Sequence, residues 1–156
     1  MHFPIIEITE TKLPENEWAS MYSMCEDACI EYETDYIGDP YNKEERQEAL
    51  KGHITEMFEG IADINYEEES LTFKSREEII TALLKAKRDA LDEVLDKINK
   101  GYHLFYDFRA AGKLFRGNCS LFWYAGGAQT SAQFIEDAPW FAGKTMYFGN
   151  ILDAHC

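Results

Sequence analysis

The sequence has no long hydrophobic run and only four cysteines. No stretch approaches the roughly 20 apolar residues that a membrane-spanning helix needs. Residues 1–10 also lack the basic start and the sustained apolar region of a signal peptide. We therefore expect a soluble, cytoplasmic protein that does not act at a membrane. The cysteines are expected to be reduced thiols rather than disulfides, because nothing in the sequence indicates an oxidising compartment.

Internal repeats, low-complexity segments and cofactor motifs are also missing. A chain of 156 residues without linkers has the size of one hydrophobic core, so residues 1–156 are expected to form a single domain. Gly143-Lys144-Thr145 matches the end of a phosphate-binding loop, but Ala138 stands where that loop requires a glycine. Cys25 and Cys29 could share a metal ion, but their spacing also fits an apolar helix stripe in the core. We therefore expect no cofactor and no metal, and we assign no catalytic residues.

Basic residues are scarce in the first half of the chain. Before Leu71 there are 19 acidic residues and four basic ones, and from Leu71 onward there are ten acidic residues and 11 basic ones. The net charge of −14 therefore belongs almost entirely to the first half. Contacts to phosphate groups need a basic surface, so we do not expect this half to bind nucleic acid directly.

Three helices are predicted, and the third has the clearest boundaries. It covers residues 75–101, where Ser75 and Glu78 can form a capping box and Gly101 is typical of a helix end. Aliphatic side chains recur along it at helical spacing and predict an apolar stripe that the rest of the protein covers. These residues are Ile80, Leu83, Leu84, Leu91, Val94, Leu95 and Ile98.

The two earlier helices are predicted over residues 14–38 and 42–60. Pro14 suits the first position of a helix, and aromatic residues and both nearby cysteines recur at helical spacing after it. In the second helix, Asn42 and Glu45 can cap the start, and Gly60 is expected to end it.

The other apolar segments favour strands. Because helices and most strands are segregated along the chain, the pattern predicts an α+β fold. Its antiparallel or mixed sheet is expected to be formed mainly by the C-terminal third and packed by the helix of residues 75–100. Thr130 and Gln133 can cap a further short helix that ends before Pro139. The expected strands are residues 3–10, a strand or tight hairpin at 61–74, and strands at 102–109, 121–124 and 144–151.

Acidic residues are densest where the first predicted helix ends and the second begins, so these two helices are expected to form an acidic lobe. Concentrating one sign of charge costs self-repulsion. The lobe therefore indicates a surface for a basic protein partner, as in an inhibitor, an immunity-type protein or a nucleic-acid mimic. A surface that only keeps the protein soluble is the alternative explanation. The predicted partner-binding residues are Glu26, Asp27, Glu31, Glu33, Asp35, Asp39, Glu44, Glu45 and Glu48.

The alternative function is a small enzyme or ligand-binding domain with a site on the C-terminal aromatic sheet. In the predicted strand 102–109, three polar side chains share one face. A separation of about 13 Å between His103 and Asp107 is too long for a catalytic hydrogen bond, which weakens the enzyme hypothesis. The residues of this alternative ligand site are His103, Asp107, Arg109, Trp123 and Trp140.

Residues 121–124, Leu-Phe-Trp-Tyr, are apolar on both faces of their predicted strand. This pattern favours a central strand or one covered by a partner. Three helices are expected to leave part of the sheet uncovered, and dimer formation is a common way to bury such a surface. A homodimer is therefore one expected outcome.

Overall fold

The computed structural model describes residues 2–101 and 120–155. The predicted strand at residues 102–109 lies outside this part, as do Cys119 and Cys156. The described strands are β1 (His2–Thr9), β2 (Tyr36–Pro40), β3 (Ala62–Asn65), β4 (Ser70–Phe73), β5 (Leu121–Tyr124), β6 (Gly127–Thr130) and β7 (Thr145–His155). The described α-helices are α1 (Met21–Cys25), α2 (Ala28–Glu33), α3 (Lys43–Ala49), α4 (Thr55–Met57), α5 (Arg76–Asn99) and α6 (Ser131–Asp137). Glu15–Glu17 and Ala138–Phe141 form 3-10 turns, and Leu50–Ile54 is a π-helical turn between α3 and α4.

The predicted α+β fold is confirmed: α5 packs against one mixed sheet of seven strands. Along the sheet the order is β3-β4-β7-β1-β5-β6, and β2 also pairs with β7. β1 and β5 are parallel, whereas every other described pair is antiparallel. The predicted segment 61–74 takes the hairpin form, as β3 and β4.

β7 pairs with three other strands of the described sheet, β1, β2 and β4. One of its edges pairs with β1 along almost its whole length. The other edge is shared, because β4 pairs with Thr145–Tyr147 and β2 pairs with the segment from Leu152 to His155. Gly149 lies between the segments of β7 that pair with β4 and with β2. Its carbonyl accepts a hydrogen bond of 2.6 Å from Arg46 of α3.

The two faces of the sheet carry separate hydrophobic cores. The first core joins the α3–α4 segment, the start of α5 and α6 to the sheet, and the second core joins α1 and α2 to it. β1 serves both cores, because Ile6 and Ile8 belong to the first and Phe3 and Ile5 to the second. This alternation follows from the period of two in a strand. Helices α1–α2 and α3 therefore lie on opposite faces of the sheet.

Helix starts follow the predicted capping signals. Capping boxes are present at Asn42 with Glu45, at Ser75 with Glu78, and at Thr130 with Gln133. Gly101 has a φ of 76°, the left-handed conformation that commonly ends a helix. In each box the Ser, Thr or Asn side chain accepts from an amide of the first turn, which is why such short patterns mark helix starts reliably.

The single helix predicted over residues 14–38 is wrong. The segment contains a 3-10 turn, α1, α2 and the start of β2. Asp27 interrupts it, because its carboxylate accepts from the amides of Cys29 and Ile30 and starts a new helix. The predicted helical stripe is thereby divided. Cys25, predicted to lie in the core, is exposed, and Cys29 is half-buried.

The apolar stripe of α5 is also less covered than expected. Ile79 and Val94 are the buried residues of this helix, and Ala82 and Leu83 pack against the first core. Four members of the predicted stripe are instead between 40% and 60% exposed: Ile80, Leu84, Leu91 and Leu95.

β5 has both of its faces covered. Phe122 belongs to the first core and Leu121 to the second, where Trp123 also packs. The expectation that part of the sheet near this strand faces solvent is therefore wrong, because helices pack on both faces. The faces of β5 therefore give no reason to expect a homodimer.

Among the helices within residues 2–101 and 120–155, none combines the length and the apolar character needed to cross a membrane.

Candidate functional site

The predicted acidic residues fall on two sides of the sheet edge. Glu26, Glu31 and Glu33 lie on or beside the short helices α1 and α2, which pack on the second core. The acidic residues of α3 lie over the first core, on the opposite face. β2 runs along the edge between them and carries Asp39. The structure therefore divides the predicted set into two smaller acidic surfaces.

Three of the nine predicted carboxylates have structural hydrogen bonds. Asp27 caps α2 and also accepts from the Ala128 amide of β6 at 3.1 Å. Asp35 lies 2.9 Å from Nδ1 of His155, and this hydrogen bond holds the pKa of Asp35 below its ordinary value. Glu45 accepts from the Asn42 amide in the capping box. The remaining six are exposed and have no hydrogen-bond or ion-pair partner within the part of the chain that the structure describes: Glu26, Glu31, Glu33, Asp39, Glu44 and Glu48.

Three exposed tyrosines lie in the same segment as the first acidic surface. Tyr22 of α1, Tyr32 of α2 and Tyr36 of β2 are between 61% and 86% exposed. Sequence periodicity predicts these rings on the buried side of one long helix, so it does not predict their exposure. Two cap signals could have revealed the break, because Ser20 and Asp27 are both preferred N-cap residues and each caps a short helix here.

A shallow cleft lies among α1, α2 and β2. It has a volume of about 180 Å³, and its walls include Cys25, Glu31, Asp35 and Tyr36. Small-molecule sites are typically larger, at about 300 Å³ or more. The cleft therefore has room for one side chain of a partner rather than for a whole cofactor. Its carboxylates and its tyrosine ring offer a cation both ionic and cation–π contacts.

Two histidine–aspartate pairs lie at the end of the sheet beside this cleft. Nδ1 of His2 is 2.8 Å from a carboxylate oxygen of Asp153, and the rings of His2 and His155 meet edge to face at 5.3 Å. These contacts join the ends of β1, β2 and β7. In the described ranges, no group of three or more His, Cys, Asp or Glu side chains is arranged to hold a metal ion.

The buried polar groups of the sheet have structural partners as well. Glu7 is buried, and its carboxylate accepts from the amides of Ala19 at 3.0 Å and Asn150 at 2.8 Å. Arg46 is buried beneath the ring of Trp18, with 4.5 Å from its guanidinium carbon to the ring centre. Arg46 also forms a hydrogen-bonded ion pair with Glu69. Because both charged groups are fully engaged, they are better explained as parts of the fold than as catalytic residues.

A second cleft, of about 380 Å³, lies between Gly60 and the first turns of α5. Its charged walls are already engaged in part: Glu78 belongs to the capping box, and Lys74 lies 3.7 Å from Asp63. Thr81 also lines the cleft, but within the described residues no hydrogen bond joins its hydroxyl to Lys74, Glu77 or Glu78, so the cleft gives no support to an enzymatic reaction.

The residues of the alternative ligand site are not brought together in the described structure. His103, Asp107 and Arg109 lie outside the described residues. Trp123 packs on the second core, whereas Trp140 follows α6 on the face of the first core, where Arg76 lies over its ring. The two tryptophans therefore lie on opposite faces of the sheet.

Comparisons with protein-family models, with curated proteins and with solved structures find no match.

Proposed function

We propose that this protein is an acidic, cytoplasmic protein-binding module, of the inhibitor or immunity type, that binds a basic protein partner. Its binding surface is the tyrosine–carboxylate surface: Tyr22, Glu26, Glu31, Tyr32, Glu33, Asp35 and Tyr36. The observation that carries the proposal is the cleft among α1, α2 and β2, with carboxylates in its wall and exposed tyrosines on the same elements.

The residue composition of the tyrosine–carboxylate surface supports a protein partner. Interface hot spots are enriched in tyrosine, because its rigid ring buries a large area at a small cost in conformational entropy. Unpaired carboxylates around such rings favour a partner with lysine or arginine side chains. They act mainly by speeding the encounter of the two proteins, since exposed charges contribute little to the docked complex. A basic target that normally contacts phosphates would find carboxylates in their place.

The charge distribution also supports this surface. Several acidic residues elsewhere in the described structure have cationic partners, such as Glu68 with Lys12 and Glu136 with Lys87. On the tyrosine–carboxylate surface, Glu26, Glu31 and Glu33 have none in the described ranges. Like charges left unpaired next to one another are costly unless a partner neutralises them.

The test compares double charge reversals that change the net charge equally. The partner is first captured on the immobilised protein from an extract of its native cells at low salt, identified and purified. Binding kinetics are then measured for Glu31→Lys with Glu33→Lys on α2, and for Glu44→Lys with Glu48→Lys on α3. The control is Glu59→Lys with Glu67→Lys, two exposed acidic residues outside both surfaces.

We expect the α2 reversals to slow association by about tenfold or more and to flatten its dependence on salt, because steering charges act on the encounter rate. The control reversals should change association much less. All three variants should fold normally, because exposed substitutions away from caps usually change stability by less than about 0.5 kcal/mol. If the α2 pair and the control pair slow association equally, the acidity is only a general surface property and the proposal fails.

A further inference from the structure

Four aliphatic side chains form an exposed stripe on α5. We call Ile80, Leu84, Leu91 and Leu95 the leucine stripe; each is between 40% and 60% exposed. At about 100° per residue they fall within a sector of roughly 60° on the helix surface, and they span about 22 Å along its axis. Large apolar side chains exposed together along one helix face commonly mark an interaction site.

The spacing of the leucine stripe is symmetrical. Its members are separated by four, seven and four residues, so the pattern reads the same from either end. Consider a two-fold axis perpendicular to α5, level with the midpoint between Lys87 and Arg88 and lying between the two copies. It would place Leu84 of one copy against Leu91 of the other, and Ile80 against Leu95. An isologous contact between two identical chains needs this kind of self-complementary pattern.

Charges beside the leucine stripe favour the antiparallel arrangement. Lys85 and Asp92 lie on the same flank of the stripe, and the same two-fold axis brings Lys85 of one copy to within about 3 Å, measured along the axis, of Asp92 of the other. Asp92 has no partner in the described part of its own chain. In a parallel pair this flank would instead face the opposite flank of the partner helix, and Lys85 and Asp92 would not meet.

The cations at the centre of the stripe are compatible with this contact. Lys87 points toward α6, where its Nζ lies 2.9 Å from a carboxylate oxygen of Glu136. Arg88 lies one turn before Asp92 of its own helix, so each arginine at the two-fold axis has a carboxylate within reach. Repulsion across the axis is therefore partly neutralised.

We propose that the leucine stripe is a homodimer interface, in which α5 packs antiparallel against α5 of a second copy of this chain. The site is separate from the tyrosine–carboxylate surface, so the two proposals stand or fall independently. The contact involves one helix face per protomer and belongs to the small class of interfaces, which makes a concentration-dependent dimer the expected form.

The first experiment measures the mass of the purified full chain by sedimentation velocity from low to high micromolar concentration. We expect the mass to rise from 18.0 kDa toward twice that value. Leu84→Gln combined with Leu91→Gln should raise the dissociation constant by about tenfold or more, because two buried contacts are lost in each protomer. Glu93→Lys is the matched control, since Glu93 lies about 200° around the helix from Leu91 and should leave dimerisation unchanged.

The second experiment tests the orientation by exchanging charges. Lys85→Glu alone and Asp92→Lys alone should each weaken the dimer, and the double variant should restore it, because an opposite pair is then re-formed across the two-fold axis. Restoration cannot arise within one helix, where these residues lie about 10 Å apart along the axis. Circular dichroism checks that the loss of the Lys85–Asp89 ion pair leaves the helix intact.

A chain that stays monomeric at every concentration would overturn the proposal. So would a dimer that the leucine-stripe substitutions leave unchanged, because it would have to form elsewhere. If the two charge changes weaken the dimer additively, the antiparallel alignment is wrong.

Discussion

Gly149 has no side chain, and the Glu7 carboxylate occupies the space where a Cβ would lie. The residue sits at an irregularity in the pairing of β1 with β7, between Ile6 and Ile8. Its amide neighbour Asn150 donates to Glu7, and its carbonyl accepts from Arg46. A buried acid and a buried base are thus held on either side of one glycine without contacting each other directly.

Arg46→Ala should therefore be strongly destabilising. The substitution removes the donor to the Gly149 carbonyl and leaves the partly buried Glu69 carboxylate without its cation. Breaking one partner of a buried ion pair costs about 3–5 kcal/mol. The control is Lys12→Ala, which removes an exposed ion pair with Glu68 and should cost much less, because solvent screens such a pair. Urea unfolding that gives both variants the same midpoint would contradict the role assigned to Arg46.

Tyr124 provides a test at alkaline pH. Its hydroxyl donates to Glu10 at 2.6 Å, and this hydrogen bond, together with burial and the charge of Glu10, raises the pKa of Tyr124 to about 12. Because the folded pKa lies above the value of about 10 in an unfolded chain, the stabilisation is complete below about pH 10. It is lost as the pH rises toward 12.

The titration is followed by phenolate absorbance after a rapid pH jump, before the chain unfolds. We expect Tyr124 to ionise late in the native protein, as does Tyr41, whose pKa burial also raises. Tyr124→Phe should therefore reduce the amplitude of the late step by one tyrosine. Glu10→Gln keeps an acceptor but removes the negative charge, so Tyr124 should then ionise at a lower pH. A late step of unchanged amplitude in Tyr124→Phe would contradict this role of Tyr124.

At the scale of elements, the sequence of α5 predicts where the helix begins and ends, but not which of its side chains are buried. The start and the end of the helix are encoded locally, by Ser75, Glu78 and Gly101, and they are correctly predicted. Which aliphatic side chains are buried depends on where the sheet and α6 lie, and no local pattern contains that information. Ile79 was omitted from the predicted stripe, yet it is fully buried in the first core.

Ile79→Ala and Leu91→Ala should separate the two sides of this helix. Ile79→Ala leaves a cavity in the first core and should cost about 2–5 kcal/mol. Leu91 is half-exposed, so Leu91→Ala should cost clearly less in a dilute, monomeric sample. Denaturant unfolding at low protein concentration provides the measurement. A larger loss for Leu91→Ala would mean that the buried side of α5 has been assigned incorrectly.

The segment before β2 shows why short elements escape sequence analysis. Apolar and aromatic residues from Trp18 to Tyr36 fit one helical period, but Asp27 ends that period by capping α2 and holding the Ala128 amide of β6. The second contact joins residues far apart in sequence. A pattern search within one segment cannot detect this contact. The exposure of the tyrosines follows from the break in the helix at Asp27.

At the scale of the whole molecule, the sequence predicted the class of fold better than the arrangement of its elements. The α+β sheet packed by a long helix is confirmed. Four of the seven described strands, however, come from the chain before residue 74. The acidic residues were adjacent in sequence, but the chain crosses from one face of the sheet to the other between α2 and α3, so sequence proximity did not predict one continuous surface.

β7 also determines when the sheet can form during synthesis. β1, β2 and β4 all pair with this strand, which comes after the other six in the chain. Among the described strands, only the β3–β4 and β5–β6 hairpins join strands that are close in sequence. Because a ribosome releases the chain from its N-terminus onward, the early strands must wait with unpaired edges until residues 145–155 emerge. Cooperative assembly of the sheet is therefore a late event, and the nascent chain is most exposed to aggregation and to chaperone binding just before it.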